Sequence, residues 1–533
     1  MTVKRLIPIL ILAISFGFVL MGCEREKPDD VIVTPFDRLL KDENVQSAIL
    51  SRTINYAVLL PEGYDSTTIS YPVVYLLHGF GDDERAWYQG GNIKYYADKY
   101  LMETGPVIFV MPEGFNTYWA NKYNGNYPYM DMLSQELVPE IDAKYRTVKD
   151  PEHRAVMGYS MGGYGALILP AKNPELFKTG IVLSMSFRTD EQYINEPQEV
   201  FDGQWGPIFG GIGASGNQRL TDYFLQYSPF HFFAQPGDVS LQGQNYYFDC
   251  GDDEESLSET NDALHVELRK LNIPHEYRVK NGAHTWDYWH NALPEAFSYL
   301  GYAFRGQAYP SETMPVETGS AVPDSRIFTH QLQNSGYTYK VVTPGNYTSE
   351  SKNYPVIYVM HQRDETIQED QTRELIDLLS KNIEAVRLPA SIIVELPFQE
   401  TGFSTDLLLA VVSEMRSNYR INDEGKYAVL IGNDAAGGKA FEMMPILAPY
   451  FNACLLFDAA ISSGAEIETT GVDYYLDITD QGNHFEGYHS LFMNLRAQDV
   501  THEYRVRQGR PSHDNFLSGL DDACVFIKDH LKE

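Results

Sequence analysis

One pattern is written twice along this 533-residue chain, and that repetition constrains its fold more than any other feature. Tyr71-Pro-Val-Val-Tyr75 followed by His78 returns 283 positions later as Tyr354-Pro-Val-Ile-Tyr358 followed by His361. Glu140 with Tyr145-Arg146 returns 274 positions later as Glu414 with Tyr419-Arg420. Tyr246-Tyr-Phe-Asp249 returns after 228 positions as Tyr474-Tyr-Leu-Asp477, and His275-Glu-Tyr-Arg-Val279 after 227 as His502-Glu-Tyr-Arg-Val506. Four matches in the same order predict a tandem duplication, so both halves must share one architecture. Copy one is expected over 37–305 and copy two over 326–533. The Pro-, Gly-, Ser-, Thr- and Glu-rich stretch 306–325 between them reads as a linker.

Within a copy, short apolar runs alternate with helical patterns. Val73–Leu77, Val107–Met111, Arg154–Met157, Gly180–Leu183 and Tyr246–Phe248 predict buried strands, while 132–144, 163–171 and 259–271 carry helical spacing. This alternation predicts an α/β class fold with a doubly wound, mostly parallel sheet, whose function gathers beyond the carboxyl ends of the strands. The repeat offset drops between Gly163 and Tyr246, so copy one carries an insertion, about 184–239, that copy two lacks. An insertion there is placed as a cap over the catalytic edge.

Residues 1–23 stand outside this scheme. Lys4 and Arg5 precede an apolar run from Leu6 to Met21 that is short for a membrane span and ends in Gly22-Cys23. This ending resembles a bacterial lipobox, which implies cleavage before Cys23 and its acylation, a tether over 24–36, and anchoring to the outer membrane on its cell-surface or periplasmic face. The remaining Cys250, Cys454 and Cys524 give neither a disulfide framework nor metal spacing and read as buried small hydrophobes. A net charge of -32 argues against nucleic acid and anionic membrane as partners, and places no barrier before a neutral polysaccharide.

Gly158-Tyr-Ser-Met-Gly162 is the chemical centre. An apolar strand runs into it and a small-residue helix leaves it, as a nucleophile elbow requires, so Ser160 is the candidate nucleophile. A serine hydroxyl needs a base, and His284 in the turn-rich Asn281-Gly-Ala-His-Thr-Trp286 follows the last strand. His290, His265 and His275 read as structural. The orienting carboxylate should follow Tyr246–Asp249, where Cys250-Gly-Asp-Asp-Glu-Glu255 offers several; the spacing favours Asp253 or Glu254 and leaves the choice open. The oxyanion hole is expected from the Met161 N–H and from the loop Leu77-His-Gly-Phe-Gly-Asp82, through Phe80 beside Gly79.

Copy one resembles the esterase D-like hydrolases, and especially the feruloyl and acetylxylan esterases of carbohydrate esterase family 1. The likeness rests on Leu77-His-Gly-Phe-Gly-Asp-Asp83 with Trp87, Gly158-Tyr-Ser-Met-Gly-Gly163, Asp249-Cys-Gly-Asp-Asp253, and Gly282-Ala-His284 with Trp289, from Val58 to Leu300. It implies an α/β-hydrolase serine esterase, without cofactor or metal, acting on ester-bearing plant polysaccharide. The family's acid stands three residues after the strand-end glycine, a position held by Glu254. Trp87, Trp119, Trp205, Trp286 and Trp289 are all in copy one and are expected to line a cleft for a phenolic acyl group or sugar rings.

Copy two lacks these parts. Asp434 stands at the position of Ser160, and His361-Gln-Arg-Asp364 replaces the glycine loop. It is expected to be a non-catalytic domain. Acetyl removal from xylan, acyl transfer, hydrolysis of S-formylglutathione and non-catalytic glycan binding are the rival readings of the whole chain.

Overall fold

A computed structural model describes residues 38–531, apart from 235–242, 334, 363–368, 423–426, 466 and 469–470. The expected leader, Cys23 and the tether lie outside the described residues, as does the last part of the expected cap.

Sixteen strands among the described residues hydrogen-bond into one sheet. In chain order the first eight are β1 (Leu39–Ser47), β2 (Arg52–Leu59), β3 (Val73–Leu77), β4 (Ile108–Pro112), β5 (Arg154–Tyr159), β6 (Thr179–Leu183), β7 (Asn245–Gly251) and β8 (Glu276–Lys280). The other eight are β9 (Ile327–Gln331), β10 (Thr338–Val342), β11 (Val356–Gln362), β12 (Ile392–Phe398), β13 (Ala428–Asn433), β14 (Ala453–Phe457), β15 (Asp473–Thr479) and β16 (His502–Arg507). Their lateral order is β1-β2-β4-β3-β5-β6-β7-β8-β16-β15-β14-β13-β11-β12-β10-β9, so the second set reverses the first strand for strand. Strands β3 to β8 and β11 to β16 pair in parallel within each half, and the halves meet where β8 and β16 run antiparallel at Val279 and Val506.

The apolar runs become strands buried on both faces, as parallel strands under helices must be. Every residue of β3, β4, β5 and β6 is buried. The hairpin β1–β2 has no counterpart in the sequence reading. Its strand β1 is an edge broken by the polar run Lys41-Asp-Glu-Asn44, so no buried run announces it. No helix among the described residues is long and apolar enough to cross a membrane. Cys250, Cys454 and Cys524 are free and buried, as their wide spacing implied.

Between β6 and β7 the chain forms short helices, including Asp190–Asn195, Gly206–Phe209 and Asp222–Tyr227. They pack an aromatic cluster against the helix after β5, in which Phe187 stacks on Tyr164 of that helix at 4.7 Å and Tyr193 on Phe224 at 3.9 Å. Each such pair contributes about 0.5–1.5 kcal/mol beyond its buried area.

Candidate active site

The bend after β5 sets the site. Helix α1 (Met161–Lys172) begins at once, with Ser160 at φ 57 and ψ -122, a backbone state that costs about 1–3 kcal/mol for a non-glycine residue. Two glycines permit it. A Cβ on Gly158 would lie 2.2 Å from the Gly162 carbonyl oxygen, and one on Gly162 would lie 2.2 Å from that of Leu77. Helix α1 is buried from Met161 to Ala171, so it cannot rotate to relieve the bend. The Ser160 N–H donates to the Leu183 carbonyl, and the Ser160 carbonyl accepts from the Ser186 N–H, both at 3.0 Å.

Two loops at the carboxyl ends of β7 and β8 bring the acid and the base together. His284 Nδ1–H donates to Glu254 Oε2 at 2.7 Å, and the Glu254 side chain is fully buried while His284 is one-third exposed. A carboxylate only accepts, so the bond fixes the tautomer and leaves His284 Nε2 free to accept a proton. Glu254 Oε1 accepts from the Gly251 N–H at 2.9 Å and from Ser184 Oγ at 2.6 Å. The Ser184 hydroxyl in turn accepts from Trp289 Nε1–H at 2.8 Å. The expected choice between Asp253 and Glu254 therefore falls to Glu254. No bond joins the Asp253 carboxyl to His284 among the described residues; its backbone N–H donates to the Gly282 carbonyl, and burial with the neighbouring Asp252 holds its carboxyl above the ordinary range.

Ser184 escaped the sequence reading. It lies at the end of β6 with φ 48, and nothing in Leu183-Ser-Met185 marks it as the residue that steadies Glu254. Replacing Ser184 with alanine is expected to lower kcat about tenfold, with KM within about twofold, because Glu254 loses a charge-assisted bond and Trp289 loses its acceptor. Steady-state kinetics at fixed pH measures both constants.

The loop after β3 is fixed by His78. Its Nε2 accepts from the Gly114 N–H and its Nδ1–H donates to the Gly79 carbonyl, each at 2.8 Å. Burial lowers the His78 pKa and keeps the ring neutral, which this pair of bonds requires. A Cβ on Gly79 would stand 3.4 Å from that of Ser160, so the loop lies against the bend. Among the described residues the Phe80 and Met161 N–H groups carry no hydrogen bond, and both stand at this junction.

The tryptophans depart from expectation. Trp87, Trp119, Trp205 and Trp289 are 4% exposed or less, so as packing residues they present no wall to a ligand. Trp205 packs among the short helices between β6 and β7 against Tyr118 at 4.7 Å, and Trp119 packs on His78 at 5.2 Å. Trp87 donates to the Leu77 carbonyl. Only Trp286 of the five keeps accessible surface, seated on Gly90 and Gly91 beside Tyr159 and Trp289. His290, His265 and His275 are held in structural bonds, to the Gly90 carbonyl and to each other.

In the second half, Asp434 occupies the equivalent bend with φ 47, and His513 pairs with Glu374 at 3.0 Å. Gly482 stands 228 positions after Glu254 and bears no carboxylate of its own; a Cβ there would lie 3.0 Å from Asp458 Oδ1, which accepts from the Thr479 N–H at 2.9 Å.

Residues 47–300 match the family model described as a putative esterase. An esterase of Mycobacterium tuberculosis (strain CDC 1551 / Oshkosh) is 35% identical over 119 residues, 22% of this chain and 25% of the relative. An endo-1,4-beta-xylanase/feruloyl esterase of Xylanibacter ruminicola is 31% identical over 169 residues, 30% of this chain and 22% of the relative. The chain thus spans about a quarter of the length of these curated relatives. Among solved structures, a ferulic acid esterase at 25% identity covers 50% of this chain and 98% of its own, with a TM-score of 0.42.

Proposed function

We propose that this chain, an esterase-family protein over residues 47–300, is a lipid-anchored serine carboxylesterase that releases hydroxycinnamoyl (feruloyl) groups from plant cell-wall polysaccharide such as arabinoxylan. Ser160 Oγ attacks the ester carbonyl as His284 Nε2 takes its proton, and Glu254 holds the resulting imidazolium. The N–H groups of Met161 and Phe80 receive the oxyanion. The imidazolium then protonates the departing sugar oxygen, leaving an acyl group on Ser160. Water repeats the sequence and frees the acid.

The observation that carries this reading is the 2.7 Å bond from His284 to a fully buried Glu254, beyond the same strand ends as the Ser160 bend. The feruloyl preference draws on the name of the Xylanibacter relative. Attachment is proposed through acylated Cys23 at the outer membrane, since a net charge of -32 gives the folded part no attraction to anionic lipid.

The test compares methyl ferulate with acetylated xylan. Ferulate turnover is expected to exceed acetate release by at least about tenfold in kcat/KM. Release of acetate alone would replace the feruloyl reading with an acetylxylan esterase.

A further inference from the structure

Across the seam between β8 and β16, the two halves exchange matching ion pairs. Arg278 of β8 reaches Asp480 of the second half at 2.7 Å, and Arg505 of β16 reaches Asp252 of the first half at 2.5 Å. The same symmetry covers the backbone. The Tyr277 N–H donates to Asp480 and the Tyr504 N–H to Asp252, and the Gly509 N–H donates to Asp480 as the Gly282 N–H does to Asp252. As structural joints the two pairs are alike. In consequence they differ, because Asp252 lies two residues before Glu254 and its Oδ1 holds Gly282, two residues before His284.

We propose that Arg505, from the half that carries no serine at its bend, is a positioning residue for the Glu254–His284 pair, acting through Asp252. This rests on the active-site reading above. Asp252 is buried, with side-chain exposure of 6%, and divides its carboxylate between the halves: Oδ1 accepts from Gly282, Oδ2 from Arg505 and from the Tyr504 N–H. Arg496, also of the second half, donates to the Asp252 carbonyl at 3.1 Å and to Glu259 in helix α2 (Ser256–Lys270), which follows the acid loop. His489 and Tyr504 bind Asp262 of the same helix. The loop bearing the acid is therefore gripped on one side by the second half, and it passes that order to the base loop through Gly282. A 2.7 Å bond between two loops survives only if both backbones are held, and outer supports of this kind are commonly worth about 10- to 100-fold in activity.

The experiment uses the full chain in six forms: wild type, R505M, R505K, R505M/D252N, D480N and S160A. R505M is expected to lower kcat about 10- to 100-fold with KM within about twofold, and R505K to recover most of that loss by restoring a cation beside Asp252. D480N removes the matching pair without touching the acid loop and is expected to keep wild-type kcat and KM. R505M/D252N leaves no unpaired buried charge; it is expected to melt cooperatively and still turn over slowly. Wild-type kcat in a folded R505M or R505M/D252N would overturn the proposal. So would an equal loss in D480N, or failure of both Arg505 variants to fold, since either makes the seam a structural joint only. An S160A arm separates the two readings. Hydrolysis that persists without Ser160 defeats the active-site assignment, whereas Ser160-dependent hydrolysis indifferent to Arg505 defeats this inference alone.

Discussion

Replacing Ser160 with alanine is expected to reduce kcat/KM for methyl ferulate by about four to six orders of magnitude, to the residue of rate that binding and the oxyanion N–H groups supply. The covalent route needs an oxygen at the bend, and the next hydroxyl on that strand edge, Ser184, is committed to Glu254 and Trp289. Folding should be untouched, because the variant keeps a Cβ at φ 57 and every backbone bond of the bend. Equal thermal melting of the two proteins, beside the kinetic collapse, is the paired result to measure.

The second large effect falls on Glu254. Changing it to glutamine is expected to cost about 10^3- to 10^4-fold in kcat, through the wrong histidine tautomer rather than lost volume. Oε1 of Glu254 faces the Gly251 N–H, which can only donate, so a glutamine must place its carbonyl oxygen there. Its amide then points at His284 Nδ1 and forces the proton onto Nε2, where it blocks acceptance from Ser160. Asp253→Asn should leave kcat within about twofold, since no bond joins Asp253 to His284 among the described residues. Measuring both variants at one pH distinguishes the adjacent carboxylates that the sequence could not.

That ambiguity marks where sequence reasoning ran out. The buried strands were legible because parallel strands covered on both faces need uninterrupted apolar runs, and β3, β5 and β6 appear close to where Val73–Leu77, Arg154–Met157 and Gly180–Leu183 placed them. The bend at Ser160 was legible because the glycines that permit it stand two residues to either side. The run 252–255 was not, because its members are sorted by partners distant along the chain: Arg505 claims Asp252, while His284 claims Glu254. The tryptophans misled for a related reason. Nearness to motif loops in sequence does not reveal depth, and Trp119 and Trp205 are drawn into aromatic clusters assembled from the loops after β3 and β4, from α1 and from the segment between β6 and β7.

The central claim is that Ser160 becomes acylated, and the most direct measurement is the mass of the enzyme quenched during turnover of a ferulate ester, followed by peptide mapping. The account expects one added feruloyl group on the peptide that contains Ser160, and none in S160A. Turnover with no covalent species, or a feruloyl group borne by another residue such as Asp434, would contradict it.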